Sequence, residues 1–262
     1  MKHFFACILC AVLLISCKQN TTAPAENQKE ESKRQPDLPP NLVEVLEAHG
    51  GLDQWQRMNN LCFTMGEGDG KEVHTVDLNS RKTLITTSNY SLGFNGDKVW
   101  LLQDSTYFNP ERARFYHNLM FYFYAMPFVL ADDGIVYSET DSLTMEGMKY
   151  PGIKIGYKSD VGDSPDDEYV LYYHPKTKQM QWLGYTVTYG KEGKSDDFHY
   201  IKYDTWKDVN GLKLPETMNW YTVKDGVPVE QRSERKFSQP SVTATRLSEK
   251  LFEKPEEAEF VE

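Results

Sequence analysis

Residues 109–132 read NPERARFYHNLMFYFYAMPFVLAD, the single long helix-like run in a chain that otherwise has the pattern of short strands. Asn109 can cap a helix, and Pro110 suits the first helical position. From Leu119 to Ala131 the run has no formally charged residue and is rich in aromatic side chains. The pattern predicts an apolar helix that the segments after it must cover.

This helix is too short to cross a membrane, because its thirteen uncharged residues fall short of the ~20 that a bilayer requires. Pro127 also interrupts the helical hydrogen-bond ladder. Two interpretations stay open, a core helix packed on a β-sheet and a lid over a hydrophobic pocket. In both, one helical stripe faces the sheet, formed by Phe115, Leu119, Phe123 and Met126.

The composition favours one large β domain over two small ones, since strand-like segments are spread evenly over the 262 residues. The formal net charge of -10 and the pI near 5.2 argue against binding to nucleic acid or to anionic lipid surfaces by charge.

The N-terminus, MKHFFACILCAVLLISC, has a basic residue followed by an apolar core, which predicts a signal peptide over residues 1–16. Its end, Leu14-Ile15-Ser16-Cys17, resembles the lipobox of bacterial lipoproteins. That resemblance implies that Cys17 carries acyl chains such as palmitate, which would anchor the chain in a membrane. Lys18 follows Cys17 where some inner-membrane lipoproteins have Asp, and this favours an outer-membrane anchor in the cell envelope, facing the periplasm.

After removal of the signal peptide and lipidation of Cys17, only Cys62 is left, so no intramolecular disulfide can form. Residues 17–40 are polar and Pro-containing, and they predict a disordered tether. We expect a single β domain over residues 41–252 and an acidic tail over residues 253–262.

The sequence after residue 59 alternates between apolar and polar residues with turn residues between the runs, which predicts an antiparallel sheet. The expected strands are 60–66, 72–79, 82–88, 91–94, 97–103, 135–139, 142–148, 152–158, 168–174, 179–189, 197–206, 213–223 and 227–237. Two of them, 168–174 and 179–189, are apolar on both faces. Such strands need helices on one face and a curled-over sheet on the other, or a bound apolar ligand.

Three stretches resemble the lipoprotein-localisation fold, the half-open β-barrel of the carrier LolA and its outer-membrane partner LolB. They are AHGGLDQWQRMNNLCF at 48–63, YYHPKTKQMQWLGYTVTY at 172–189 and YDTWKDVNGLKLPETMNWY at 203–221. The resemblance implies a mainly β fold, a curved antiparallel sheet that forms a half-open barrel covered by helices.

The same resemblance implies that an acyl chain binds inside the barrel under a helical lid. The lid stripe would contact it, together with cavity tryptophans Trp100, Trp182 and Trp220. Arg112 and Arg114 lie near the lid, and we expect them to be solvated. The chain departs from the soluble carrier in being lipidated itself.

No sequence motif points to catalysis or to a cofactor. The histidines lack metal-ligand spacing, and neither a Gly-x-Ser-x-Gly elbow nor a phosphate loop is present. Acidic residues in the loop at 160–168 could bind calcium, but their spacing does not match an EF-hand, which favours a solvated loop. We therefore expect a monomeric, non-enzymatic lipoprotein without a cofactor that binds a lipid or acyl chain.

An alternative from another class is a glycan-binding or structural envelope lipoprotein with exposed aromatic side chains. Trp100, Trp182, Trp206 and Trp220 would then stack on sugar rings. The two interpretations differ in where these side chains point, inward for an acyl pocket and outward for a glycan platform.

Overall fold

The computed structural model describes residues 37–158 and 164–261. The predicted signal peptide, Cys17 and the predicted tether up to residue 36 lie outside these residues. No helix in the described ranges is both long enough and apolar enough to cross a membrane.

Two helices precede the first strand, α1 (Pro40–Ala48) and α2 (Leu52–Gln56). Proline at the first position of α1 costs no hydrogen bond, because the first backbone N–H groups of a helix have no partner within it. Gly50 follows the end of α1, and its φ of 109° is costly for other residues. A Cβ on Gly50 would also lie 2.1 Å from the Gly211 carbonyl oxygen. Glycine at this position therefore permits both the positive φ and the close contact.

Most strands occur where the alternating pattern predicts them, with adjusted bounds. The strand expected at 213–223 is divided into two strands, and the strands at 148–150, 206–209 and 259–261 have no predicted counterpart. The strands are β1 (Asn60–Met65), β2 (Glu72–Asp77), β3 (Thr83–Thr86), β4 (Tyr90–Phe94), β5 (Val99–Gln103), β6 (Ile135–Ser138), β7 (Leu143–Met145), β8 (Met148–Tyr150), β9 (Gly152–Tyr157), β10 (Tyr169–Tyr173), β11 (Met180–Tyr185), β12 (His199–Lys202), β13 (Trp206–Val209), β14 (Leu212–Pro215), β15 (Thr217–Lys224), β16 (Val227–Thr243) and β17 (Glu259–Val261).

Thirteen strands form one antiparallel sheet in the order β17-β5-β4-β3-β2-β1-β16-β15-β12-β11-β10-β9-β6. The two end strands, β17 and β6, do not pair with each other, so the sheet is open. The predicted fold class, a mainly β protein with an open antiparallel sheet and helical cover, is confirmed.

Strand β16 joins the two halves of this sheet. Its first part pairs with β15, up to Lys236 opposite Thr217, and its second part pairs with β1, from Phe237 opposite Met65. The change of partner strand falls between Lys236 and Phe237. The predicted strand ended at residue 237, and the structure extends it to Thr243.

Residues 109–131, here called the covering segment, do not form the predicted continuous helix. The segment consists of four short pieces, the 3-10 turn Pro110–Arg112, α3 (Ala113–Tyr116), α4 (Leu119–Tyr124) and the 3-10 turn Phe128–Ala131. The cap is as predicted, since the Asn109 side chain accepts from the Glu111 N–H at 3.1 Å. Asn118 then leaves helical angles with ψ near 0°, and Pro127 follows the end of α4, so the segment bends at both points.

The covering segment lies on one face of the sheet. Its buried side chains pack there with those of α1, α2 and the strands, and together they form what we call the main core. Tyr124 stacks on Phe63 of β1 with ring centroids 4.0 Å apart, and Phe128 stacks on Trp55 of α2 at 4.7 Å. The Tyr203 hydroxyl donates to the Phe123 carbonyl at 2.9 Å. These buried contacts fix the segment between the N-terminal helices and the sheet.

The opposite face of the sheet carries a second, smaller core. Val170, Tyr172 and Trp182 point to this side, while Leu171 and Leu183 point to the main core. The β7–β8 hairpin covers the smaller core. The strand expected at 142–148 is in fact part of this hairpin, because Glu146 and Gly147 adopt positive φ and reverse the chain. Strands β10 and β11, which the sequence predicts to be apolar on both faces, thus have a buried core on each side.

Residues 253–262 are not the predicted tail. Strand β17 lies within them and pairs with β5, Phe260 opposite Trp100. Just before it, Phe252 is fully buried, and its carbonyl accepts a 3.0 Å hydrogen bond from the Trp100 indole N–H. The folded domain therefore reaches residue 261.

Candidate functional site

A cavity of about 280 Å³ lies between the covering segment and the ends of β9 and β10. Six of the thirteen residues that line it are aromatic, and they are Phe115, Tyr122, Phe123, Tyr157, Tyr169 and Tyr189. The remaining lining residues are Arg114, Asn118, Leu119, Asp132, Asp133, Ser164 and Asp167. The lining thus combines seven aromatic or aliphatic residues with six polar ones, and polar groups in a small-molecule site fix the orientation of the ligand.

Separate elements bring the aromatic side chains together. Tyr157 ends β9 on the same face as Ile153 and Ile155, as the alternation predicts, and Tyr169 begins β10 beside it. Tyr122 of α4 reaches across from the covering segment, with its ring 5.6 Å from that of Tyr169. The cavity is therefore enclosed by the sheet on one side and the covering segment on the other.

Three of the tyrosine hydroxyls at this cavity are buried. The hydroxyls of Tyr122 and Tyr157 form a hydrogen bond with each other. Burial raises the pKa of Tyr122, Tyr157 and Tyr169 well above the ordinary tyrosine value, because a phenolate would be poorly solvated there. The rings thus stay uncharged at physiological pH and can donate or accept hydrogen bonds.

Two carboxylates of the cavity are held by neighbouring groups. Asp167 Oδ1 accepts from the Thr188 N–H at 2.6 Å and from the Thr188 hydroxyl at 2.7 Å. Asp132 forms a bidentate ion pair with Arg81 at 2.6 and 2.7 Å. Burial is the largest influence on both, and it raises the pKa of Asp132 and of Asp167 above the ordinary aspartate value.

Three of the four residues in the predicted stripe line the cavity, namely Phe115, Leu119 and Phe123. The fourth, Met126, is fully buried in the main core. One end of the stripe therefore packs as core, and the other end faces a cavity.

The predicted cavity tryptophans lie elsewhere. Trp100 is buried between Gly93 and Phe252, and Trp182 belongs to the smaller core on the opposite face. Trp220 is half-buried, and its ring lies 6.3 Å from that of Phe123, so it stands behind the cavity wall. Of the five tryptophans, three are buried, and Trp206 and Trp220 are half-buried.

Most residues that do line the cavity were not predictable from the sequence. Tyr122, Tyr157, Tyr169 and Tyr189 come from different elements, and only the tertiary fold joins them. Arg114, expected to be solvated, lines the cavity and lies over the Phe94 ring, with its guanidinium carbon 5.5 Å from the centroid.

A second, more polar opening lies beside the start of β2. Its lining includes Glu72, Tyr116, Glu234, Arg235 and Lys236. The Glu72 carboxylate there accepts from the hydroxyls of Tyr116 at 2.7 Å and Tyr90 at 2.9 Å. Because charged groups dominate this opening, it is poorly suited to an apolar ligand.

The acidic loop considered for calcium is only partly described, since Asp160 and Asp163 lie outside the described residues. The Asp167 carboxylate accepts a hydrogen bond from the Thr188 hydroxyl. The Glu168 carboxylate forms ion pairs with Lys154 and Lys194, both at 2.9 Å. Within residues 37–158 and 164–261, no three His, Cys, Asp or Glu side chains are grouped as a metal site.

Solved structures resemble this chain at low sequence identity. A LolA superfamily protein from Nitrosomonas europaea is 9% identical with a TM-score of 0.46, over 80% of this chain and 96% of that one. A DUF1329 family protein from Desulfovibrio piger is 12% identical with a TM-score of 0.47, over 81% and 95%. A lipoprotein-sorting protein domain from Vibrio parahaemolyticus is 9% identical with a TM-score of 0.45, over 80% and 95%. At these identities the likeness concerns the fold alone.

Comparison at the level of sequence gives a family and no characterised relative. No curated protein matches the chain significantly. The family model that matches, over residues 80–234, is described as a family of unknown function, DUF6503.

Proposed function

This chain belongs to DUF6503, a family of unknown function, and we propose that it binds an apolar ligand, such as a lipid acyl chain, in the cavity beneath the covering segment. The observation that supports this most directly is the lining itself, six aromatic rings and Leu119 around an open space of about 280 Å³. Moving apolar ligand surface from water into this space is favourable by about 25 cal/mol per Å².

The size of the cavity limits what enters it. Sites for drug-sized ligands range from roughly 300 to 1,000 Å³, so a space of about 280 Å³ suits a single chain or the end of a longer one. The protein would bind and release this chain without chemical turnover.

The anchor is the second part of the proposal. The Leu14-Ile15-Ser16-Cys17 sequence supports acylation of Cys17 and attachment to the outer membrane from the periplasmic side. Attached there, the domain would handle lipids or lipoprotein acyl chains within the cell envelope.

The ligand-binding part is tested by native mass spectrometry of the purified protein, followed by solvent extraction to identify any lipid. In a second measurement, extracted protein is titrated with N-phenyl-1-naphthylamine, an uncharged probe that fluoresces in apolar surroundings. Tyr169→Ala, which removes a ring from the cavity, should weaken probe binding at least threefold. Tyr107→Ala, at a half-exposed tyrosine outside the cavity lining, should leave it unchanged. Absence of both a co-purified lipid and probe binding would refute the proposal.

The anchor is tested by comparing two cysteine variants in cell fractions. We expect Cys17→Ala to leave the membrane fraction or to accumulate with its signal peptide. Cys62→Ala, which alters a cysteine within β1, should fractionate like the unaltered protein. Normal processing and outer-membrane retention of Cys17→Ala would show that the anchor assignment is wrong.

A further inference from the structure

Six of the thirteen residues that line the cavity carry aromatic rings. The rings of Phe115 and Tyr189 lie 5.0 Å apart, and those of Tyr157 and Tyr169 lie 6.0 Å apart. The face of an aromatic ring carries negative partial charge and attracts a cation that lies against it. The walls are therefore suited to a positively charged group as well as to a hydrocarbon chain.

Three carboxylates lie at the same cavity. Asp133 is exposed at its edge, Asp167 is buried in its wall, and Asp132 is paired with Arg81. Both hydrogen bonds from Thr188 to Asp167 end on Oδ1, so Thr188 leaves Oδ2 unused. Asp133 and Asp167 are thus the acidic groups that could face a ligand.

Among the described residues that line the cavity, one cationic side chain stands against three aspartates. Arg114 is part of the lining and lies over the Phe94 ring. Lys191 is close enough to influence Asp167 electrostatically, and its ammonium donates to the Val187 carbonyl at 3.2 Å. An anionic head group in this cavity would lose water and face like charges, which disfavours it.

We infer that the ligand is a cationic amphiphile, an alkyl chain that bears an ammonium group, with the ammonium held between the aromatic rings and the carboxylates of Asp133 and Asp167. This inference rests on the proposed function, since it assumes that the cavity binds an apolar chain. It adds that the site selects for the charge of the head group.

The surroundings of Asp167 agree with this assignment. Burial raises the pKa of its carboxyl because the ionised form is poorly solvated in the wall. An ammonium group beside it would supply the missing solvation and favour the ionised form. Aromatic rings with a nearby carboxylate are also the surroundings in which proteins bind quaternary ammonium groups.

Ligands with the same chain and different head groups test the inference. Decyltrimethylammonium, decanoate and 1-decanol, each below its micelle concentration or solubility limit, compete with N-phenyl-1-naphthylamine for the purified protein. We expect decyltrimethylammonium to bind at least tenfold more tightly than decanoate. In the double variant Asp133→Asn/Asp167→Asn this ratio should fall below about threefold. Asparagine at 167 keeps an oxygen that can accept from Thr188, and thermal melting checks that the variant is folded.

The matched control is Asp225→Asn, which removes one negative charge from the turn between β15 and β16, outside the cavity lining. It should keep the tenfold ratio, which separates attraction within the cavity from that of the net negative charge. Asp133→Asn alone gives a second comparison if the double variant does not fold. Equal binding of the three ligands, or preference for decanoate, overturns the inference but not the proposed function. Failure of all three to displace the probe, or no probe binding, refutes the proposed function itself.

Discussion

At the scale of single residues, His49 shows how burial fixes the protonation state of a side chain. The residue is fully buried, its Nδ1 donates to the Val45 carbonyl at 2.8 Å, and its ring meets Trp206 edge-on at 4.5 Å. Burial, opposed in part by the bond to Val45, lowers the pKa of His49 to about 4. The folded protein thus holds a neutral imidazole throughout the neutral pH range.

This burial predicts a loss of stability in mild acid. The unfolded chain takes up a proton at His49 near pH 6.5, whereas the folded protein does so only near pH 4. The neutral His49 contributes fully to the free energy of unfolding above about pH 6.5. As the pH falls towards 4, about 3 kcal/mol of this contribution is lost. Urea unfolding between pH 7.5 and 4.5 should show a smaller loss of stability in His49→Phe than in the unaltered protein. Equal pH slopes in the two proteins would contradict the prediction.

The Arg81–Asp132 pair predicts a coupling between two elements. Arg81 lies in the turn between β2 and β3, and Asp132 follows the covering segment. Both side chains are about one-third exposed, so the pair should contribute about 1 kcal/mol to stability. A double-mutant cycle with Arg81→Ala and Asp132→Ala measures this coupling, which should decrease in 1 M salt. A coupling that is zero at low salt would show that the pair contributes nothing.

At the scale of elements, the covering segment divides into a core end and a cavity end. Met126→Ala should cost about 2 to 5 kcal/mol, since the side chain is fully buried in the main core. Phe123→Ala should cost less than the usual ~3 to 5 kcal/mol, because one side of the ring already faces the cavity. Phe123→Ala should also weaken binding of the naphthylamine probe at least threefold, and Met126→Ala should not.

Chemical denaturation and probe titration of these two variants distinguish a cavity wall from a plain core helix. The two unfolding curves are compared at a common m-value, so that a difference of 1 kcal/mol is resolved. A full cost for Phe123→Ala together with unchanged probe binding would mean that the cavity is not a ligand site.

The sequence predicted these elements better than it predicted the site. Alternation located most strands because buried residues alternate with less buried ones along strands such as β3 and β9. Asn109 marked the start of the covering segment. The breaks at Asn118 and Pro127 turned one predicted helix into short pieces, since tertiary packing outweighs helix propensity in such an aromatic run. The cavity tyrosines could not be found, because their proximity depends on strand register and on the path of the covering segment.

At the scale of the whole molecule, β17 is the strand that forms one edge of the sheet, where it pairs with β5. Three residues are too few to give a periodic signal, so the segment read as an acidic tail. In the structure it covers the outer edge of β5, and Ala258 before it is buried. An uncovered β5 would present unpaired backbone groups to other molecules.

Deleting residues 258–262 should therefore destabilise the domain and promote association. The loss of a few backbone hydrogen bonds and of buried surface should cost about 2 kcal/mol. Urea unfolding and light scattering measure the two effects. Phe260→Ala, which keeps the backbone pairing at a half-exposed side chain, should cost under about 1 kcal/mol and leave the protein monodisperse. Unchanged stability of the truncated protein would show that β17 is dispensable.

The way β16 is shared has a consequence for the order in which the sheet can form. One half-sheet, from β6 to the part of β16 that ends at Lys236, is drawn from a continuous stretch of chain. The other half, β1 to β5, borders the second part of β16 on one side and β17 on the other. Its strands are synthesised first, yet both of their outer edges stay unpaired until residues 237–261 are available. The earliest part of the sheet to leave the ribosome is thus the last to be completed.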